Sequence, residues 1–241
     1  RVLFRSQGDC FVADTKSGAI IFDGGSSSED QVGRYRILPY MKYLGYQKIQ
    51  IAVISHMDID HYSGIKELLE MGKIKYLGLP EIPKDETMKK IIGIAKKRGT
   101  TIFYLSRGRQ ITTKDGSLKV LHPQKNSQME KNVASLVMQG KILGYRVLLT
   151  GDVEKEGEEE LLSEELERAD ILKAAHHGSK NSTSNEFLQK VQPKQTVISC
   201  GKQNRYGHPH LETIHRLQTY RTKIYRTDRS GAIIFFKRRD G

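Results

Sequence analysis

Four times along the chain, an apolar run that reads as a buried strand stops at a cluster of metal- or phosphate-capable side chains, and a helical pattern follows. The clusters open at His56, Asp152, His176 and Asn204, and six of the eight histidines fall in three of them. Scattered surface histidines would not repeat in this way. In layered α/β folds, ligands bind where strand C-termini gather, so the repetition constrains both the fold and the place of its site. The densest cluster lies in Val53-Ile54-Ser55-His56-Met57-Asp58-Ile59-Asp60-His61-Tyr62-Ser63-Gly64, between the apolar run 49–54 and the helical spacing of Ile65-Lys66-Glu67-Leu68-Leu69. Two imidazoles and two carboxylates crowded at a strand end repel or desolvate one another unless a cation binds among them. His and Asp together ligate Zn, Mn or Fe, whereas a helix cap needs only one such residue.

The length, 241 residues, suits one large α/β domain or two small ones, and 37% hydrophobic content can fill a substantial core. No apolar run approaches the roughly 20 residues of a membrane span, so a piece soluble as given is expected. The chain opens on Arg1-Val2-Leu3-Phe4 without an initiator Met or a signal peptide, and reads as a domain excised from a longer parent. A net charge of +12 favours an anionic partner such as nucleic acid, a teichoic-acid-like polymer or a membrane surface, without choosing among them. With no Trp and 7% aromatics, no stacking platform for single strands is visible. Cys10 and Cys200 lie far apart in apolar runs and read as buried free thiols.

Residues 1–25 read as hairpins. Val2-Leu3-Phe4 is followed by a turn at Ser6-Gln7-Gly8-Asp9, then Cys10-Phe11-Val12-Ala13, a turn at Lys16-Ser17-Gly18, and Ala19-Ile20-Ile21-Phe22 ending in Asp23-Gly24-Gly25. A helix is expected from Arg36 to Leu44 with Gly45 as its C-cap, a strand over 49–54, a helix over 63–71 and a strand over 74–79. The stretch from Lys84 to Arg98 is amphipathic: Met88, Ile91, Ile92 and Ala95 share one face. The opposite face carries Lys89, Lys90, Lys96 and Lys97, and reads as a solvated surface more readily than as a DNA contact. Further strands are expected at Ile111 and over 118–121, 145–150, 169–175, 196–200, 223–227 and 232–237. Helices are expected from Glu154 to Glu167, from Ser184 onward and from Leu211 to Tyr220.

His56-x-Asp58-x-Asp60-His61 resembles the His-x-His-x-Asp-His metal motif of the metallo-β-lactamase superfamily, with Asp58 where most branches have the second His. That variant, with Gln7-Gly8-Asp9, Asp23-Gly24-Gly25, His176–Ser182 and Asn204–Pro209, resembles the nuclease-like domain of the ComEC family of competence DNA-uptake proteins, over nearly all of the chain. The resemblance implies a single domain over 1–241 with the α/β metallo-β-lactamase fold, an αβ/βα four-layer sandwich with the site at one edge. It implies that Asp23 supports the metal ligands from behind while the glycines allow close backbone approach. One ion would take Asp60, His61, Asp152 and His176. A second, weaker and oxygen-rich, would take His56, Asp58 and the bridging Asp152. The two divalent ions would be Mn or Zn. Asn132 stands nearest to the third-motif His of the superfamily, and the lone His122 is not expected to ligate.

Paired metals suit hydrolysis of a phosphodiester, since each polarises a phosphoryl oxygen and acidifies water, and the developing charge needs fixed donors. Besides Asp60, the catalytic candidates are His177, Ser179, Lys180, Ser182, Asn204, Tyr206 and His208. His208 is the choice for leaving-group protonation or phosphate binding, His210 is read as helping to cap a helix, and His177 is equally able to turn away into the fold. The expected function is a metal-dependent nuclease that degrades DNA, single- or double-stranded, during uptake. By resemblance it would sit at the extracytoplasmic face of a bacterial cell membrane, with a membrane channel in the same parent polypeptide. Two readings stand beside it: a hydrolase of a small or cell-wall phosphodiester, and a basic DNA-binding module that has lost catalysis. There is no Gly-x-Ser-x-Gly elbow and no Walker loop.

Overall fold

In the strand Gly18–Phe22, Ala19 and Ile21 pack to one side, Ile20 and Phe22 to the other, and all four are buried. A strand apolar on both faces has to be an inner layer. It is one in the computed structural model, which describes residues 8–130, 132–202 and 204–236. The expected strand at Val2-Leu3-Phe4 lies outside the described residues.

The first sheet has the order β1 (Phe11–Thr15), β2 (Gly18–Phe22), β3 (Ile49–Val53), β4 (Ile74–Pro80), β5 (Thr101–Leu105). Only its β1/β2 pair is antiparallel. Three helices cover its outer face: α1 (Leu38–Tyr43), entered through a π-type turn, α2 (Ile59–Glu70) and α3 (Glu86–Lys97). They pack through Met41, Ile65, Leu68, Leu69, Met88 and Ile91. The second sheet is made of β6 (Gln110–Thr113), β7 (Gly116–His122), β8 (Val137–Ile142), β9 (Tyr145–Leu149), β10 (Ile171–Lys173), β11 (Gln195–Ile198) and β12 (Lys223–Arg226), adjacent in sequence order. It is antiparallel from β6 to β9 and parallel from β9 to β12. Its outer face carries α4 (Lys155–Leu162), α5 (Asn185–Val191) and α6 (Leu211–Thr219), and a short α7 (Thr227–Ser230) follows β12. Between the sheets, Phe11, Ile20, Phe22, Val53 and Leu105 meet Leu118, Val120, Met138, Leu149 and Val197. This is the four-layer αβ/βα arrangement. Among the described residues no helix is long and apolar enough to cross a membrane.

Five elements differ from the sequence reading. Helix α2 starts at Ile59 rather than 63, because the His61 and Tyr62 amides donate to the Asp58 carbonyl (2.9 and 3.2 Å) and draw Asp60 and His61 into its first turn. Helix α4 stops at Leu162 instead of continuing to Glu167. Beyond it, Arg107 takes the Glu164 carboxylate (3.0 Å), while the Gln139 side chain holds the Glu165 carbonyl and the Glu167 amide. No strand forms over 232–236; α7 intervenes and Ile233 makes an isolated bridge. Strands β5 and β8 were not expected, and β8 carries Gln139-Gly140-Lys141 in its middle, which hides the strand pattern.

Candidate metal centre

The loops after β2, β3, β9, β10 and β11 meet at one edge of the sandwich. Asp23, the residue after β2, has a left-handed backbone (φ 56) and a fully buried side chain. Its carboxylate accepts from the Ser55 amide (2.7 Å) and hydroxyl (2.8 Å), and from His61 Nδ1 (3.0 Å). Gly25 is required by proximity: a Cβ there would stand 2.6 Å from the Asp60 carbonyl carbon and 2.7 Å from the His61 nitrogen. The first turn of α2 thus rests directly on the Asp23-Gly24-Gly25 backbone, and Gly24 donates to the His61 carbonyl (2.8 Å).

Four imidazoles are held in one manner. His56 Nδ1 is tied to Ser55 Oγ (3.0 Å), His61 Nδ1 to Asp23, His176 Nδ1 to Glu154 Oε1 (2.6 Å) and His177 Nδ1 to the Ser199 carbonyl (2.8 Å). Anchoring Nδ1 fixes the ring and leaves Nε2 to coordinate, as is usual for metal-ligating histidines. The Nε2 atoms of His56 and His61 are buried without a hydrogen-bond partner among the described residues. His61 Nε2 is 3.2 Å from Asp152 Oδ2 yet not aligned to bond it, as two ligands of a common ion would be. Buried polar nitrogens without partners are expensive, and divalent ions held among these donors would satisfy them.

Asp152 Oδ2 is the meeting point, with His177 Nε2 at 3.3 Å and His176 Nε2 at 3.9 Å besides His61. Asp60 lies 3.2 Å from His177 Nε2, and the half-exposed Asp58 lies 3.6 Å from His56 Nε2. Several triads place one ligand atom each within 4.8 Å of one another, among them His56, His61 and Asp152, and Asp60, His61 and His177. The other oxygen of Asp152 faces the buried Lys173 ammonium at 3.2 Å.

The charges match this layout. Burial alone would lower the His61 pKa, but the carboxylates of Asp152 and Asp23 outweigh it and hold it well above the usual range. His177, also opposed by burial, is carried up to about 10 by Asp152, Asp9 and Asp60. Against burial, His177 and His61 bring Asp60 down to about 2. Without metal the cluster therefore recruits protons as its cations.

Of the metal ligands read from sequence, His56, Asp58, Asp60, His61 and Asp152 converge, and His176 stands at the margin with Nε2 facing Asp152. His177 occupies the inner position beside Asp60 and does not turn away. His208 packs its ring 5.4 Å from His176 and 6.2 Å from His177; burial first, then the neighbouring imidazoles, push its pKa down to about 4. Tyr206, 48% exposed, stacks on His208 at 5.8 Å, and Lys180 is exposed. Other candidates serve the loops: Ser182 Oγ donates to the Ala175 carbonyl (2.9 Å), and Ser179 Oγ accepts from the Asn181 amide (3.3 Å). The Asn204 side chain bridges Gly201 and His208. His210 sits at the N-cap of α6 without a capping bond and accepts from the Lys180 amide (3.1 Å) instead. His122 is buried against the Ser135 carbonyl and Glu160, apart from the donor cluster, and Asn132 lines an open recess with Glu130, Val133 and Glu154.

Asp9, Glu154 and Lys173 belong to the site and were not read as functional. Lys173 had a signal, a lone cation inside the apolar run Ala169–Ala175. Glu154 had none beyond its place two residues after Asp152.

A four-layer αβ/βα fold with His and Asp donors gathered at one edge defines the metallo-β-lactamase class. The chain belongs to the metallo-beta-lactamase superfamily, whose family model matches residues 3–202. It is 38% identical to the ComE operon protein 3 of Bacillus subtilis (strain 168), over 87% of this chain and 27% of that protein. It is 30% identical to the Competence protein ComA of Neisseria gonorrhoeae, over 98% of this chain and 32% of that protein. The chain therefore spans about a third or less of the curated relatives it matches. Among solved structures it is similar to the metallo-beta-lactamase fold protein YhfI from Bacillus subtilis, with a TM-score of 0.61 at 12% identity, covering 93% of this chain and 95% of that one. At that identity the likeness concerns the fold alone.

Proposed function

We propose that the chain is a metal-dependent phosphodiesterase unit that cleaves DNA, working within a longer, membrane-associated competence protein at the extracytoplasmic face of a bacterial cell. The observation that carries it is the set of four imidazoles tethered at Nδ1, with the Nε2 atoms of His56, His61 and His177 gathered about Asp152 and Asp60, Asp58 beside His56 and His176 at the margin. The similarity to competence proteins supports DNA as the substrate, and the +12 charge suits a polyanion.

Asp60, His61, Asp152 and His177, with His176 at the margin, would hold one divalent ion, Mn or Zn. His56, Asp58 and Asp152 would hold the other. When bound, such ions polarise phosphoryl oxygens and acidify water. The remaining work falls to the chain. Asp23, Glu154, Ser55 and Ser199 fix the imidazoles, so no ligand has to reorganise as charge develops. His208, neutral at pH 7, offers an N–H to a phosphoryl or leaving oxygen. Lys180 and Tyr206 line the exposed approach, where a strand meets a cation and an aromatic face.

The test is purified protein with labelled single- and double-stranded DNA and with bis-(p-nitrophenyl) phosphate, after chelation and after adding back Mn²⁺ or Zn²⁺. Cleavage of DNA restored by a divalent ion is expected. Cleavage of the small diester but not of DNA would move the substrate to another phosphodiester. No cleavage of either with any ion would end the enzymatic reading.

A further inference from the structure

Lys173 ends β10, and its side chain is among the largest fully buried in the protein. Its ammonium is surrounded by oxygen. Asp9 Oδ2 is at 2.6 Å, Asp152 Oδ1 at 3.2 Å and the Ala174 carbonyl at 3.5 Å, with the Gly151 carbonyl closing the cage. Two carboxylates and two carbonyls are the ligand set of a hard cation, and here the chain fills it with its own charge. A buried ammonium is retained only when its surroundings compensate the lost hydration. Asp9 and Asp152 do so by direct contact.

The cage also divides Asp152. Oδ1 belongs to Lys173, while Oδ2 faces His61 and His177. Six carboxylates gather here, from Asp9, Asp23, Asp58, Asp60, Asp152 and Glu154, and Lys173 is the one lysine set among them in the described residues. Resting on the reading of this cluster as a metal centre, we propose that Lys173 is a positioning residue that acts as the centre's built-in cation. Its ammonium occupies the oxygen cage, holds Asp152 by Oδ1 and so keeps Oδ2 turned toward the imidazoles, where the divalent ions would bind.

The test compares wild-type protein with Lys173→Ala and with the double variant Lys173→Met, Asp9→Asn. The double variant removes the ammonium and one carboxylate together, so folding leaves no unpaired charge from that pair. Mn²⁺ affinity and stoichiometry are read by calorimetry, and the coupling of two Mn²⁺ ions by electron paramagnetic resonance. Metal affinity is expected to fall at least about tenfold in both variants, as for other residues behind a ligand, with loss of the spin-coupled signal. Methylammonium should partly restore Lys173→Ala. Tetramethylammonium, equally charged but without N–H donors, should not. If Lys173→Ala does not fold, the double variant carries the test. A folded variant with wild-type affinity, stoichiometry and spin coupling would overturn the proposal and leave the metal centre standing. If wild-type protein takes up neither Mn²⁺ nor Zn²⁺, the metal reading falls, and this one with it.

Discussion

Asp23 touches no ion in the arrangement described above, yet its replacement should be felt at the metal. Its carboxylate accepts three hydrogen bonds, two from Ser55 and one from His61 Nδ1, in a fully buried position. In Asp23→Asn one oxygen can still accept from the Ser55 amide. The new amide group would then face the Ser55 hydroxyl and the His61 Nδ1–H, donor against donor. Relief comes if His61 moves its proton to Nε2, the nitrogen that has to coordinate. Outer carboxylates behind ligating histidines are worth about 10–100-fold in metal affinity, or about 1.4–2.8 kcal/mol at 1.4 per tenfold. The forced tautomer places Asp23→Asn at the upper end of that range. Asp23→Ala adds a stability loss: three buried donors lose their acceptor, at about 1–3 kcal/mol each where no water replaces it. Calorimetric Mn²⁺ titration of both variants and urea unfolding of the metal-free proteins measure the two effects separately. Wild-type Mn²⁺ affinity in Asp23→Asn would refute the claim that anchored Nδ1 atoms organise the site, and with it the main support for the metal centre.

Three further outcomes follow from the same geometry. In metal-free protein His177 binds its proton up to about 10 against an ordinary value near 6.5; a raised pKa stabilises fully below the ordinary value and fades as pH rises through the raised one. The urea midpoint should therefore fall between pH 7 and 10, and a flat profile would take His177 out of the anionic cluster. Gly25→Ala would drive a Cβ to 2.5 Å from the Ile59 carbonyl oxygen, and thermal melts should show a loss of about 1–3 kcal/mol or more. Asn204→Ala removes the side-chain bonds to Gly201 and His208 without touching a proposed ligand, so steady-state kinetics should show a raised KM for oligonucleotides at unchanged Mn²⁺ affinity.

The four layers were legible because their apolar runs are apolar for two reasons at once. Strands such as β2 and β3 face a helix layer on one side and the opposite sheet on the other, so their positions stand out without alternation. Strand β8 escaped because Gln139 turns toward the segment after α4, and its polar centre reads as a break. The start of α2 was hidden by a conflict of roles: Asp58 stands at the helix N-cap position but reads as a ligand, and its side chain makes no capping bond. The sequence reading makes His176 the ligand and His177 equally able to turn away; both have left-handed backbones (φ 44 and 52), and strand or helix periodicity does not say where consecutive residues point in such a turn. Ser182 and Asn204 belong to chemically suggestive motifs, yet their side chains are engaged in loop hydrogen bonds, which spacing cannot reveal.

The donors come from both halves of the sandwich. His56, Asp58, Asp60 and His61 follow β3 of the first sheet, Asp152 and His177 follow β9 and β10 of the second, and Lys173 joins Asp9 ahead of β1 to Asp152 across the gap. Neither sheet alone contains a complete set, so the ligands assemble only when the inter-sheet core of Phe22, Val53, Leu149 and Val197 closes. If the proposed ions bind here, ion binding and sheet packing are linked equilibria, and each strengthens the other. Truncating Val53 or Leu149, both in the inter-sheet core, should weaken Mn²⁺ binding along with stability, and added Mn²⁺ should recover part of the lost thermal midpoint. A core variant that loses stability but gains nothing from Mn²⁺ would separate the two equilibria, and would mean that the ligands are held by their loops rather than by the closure of the fold.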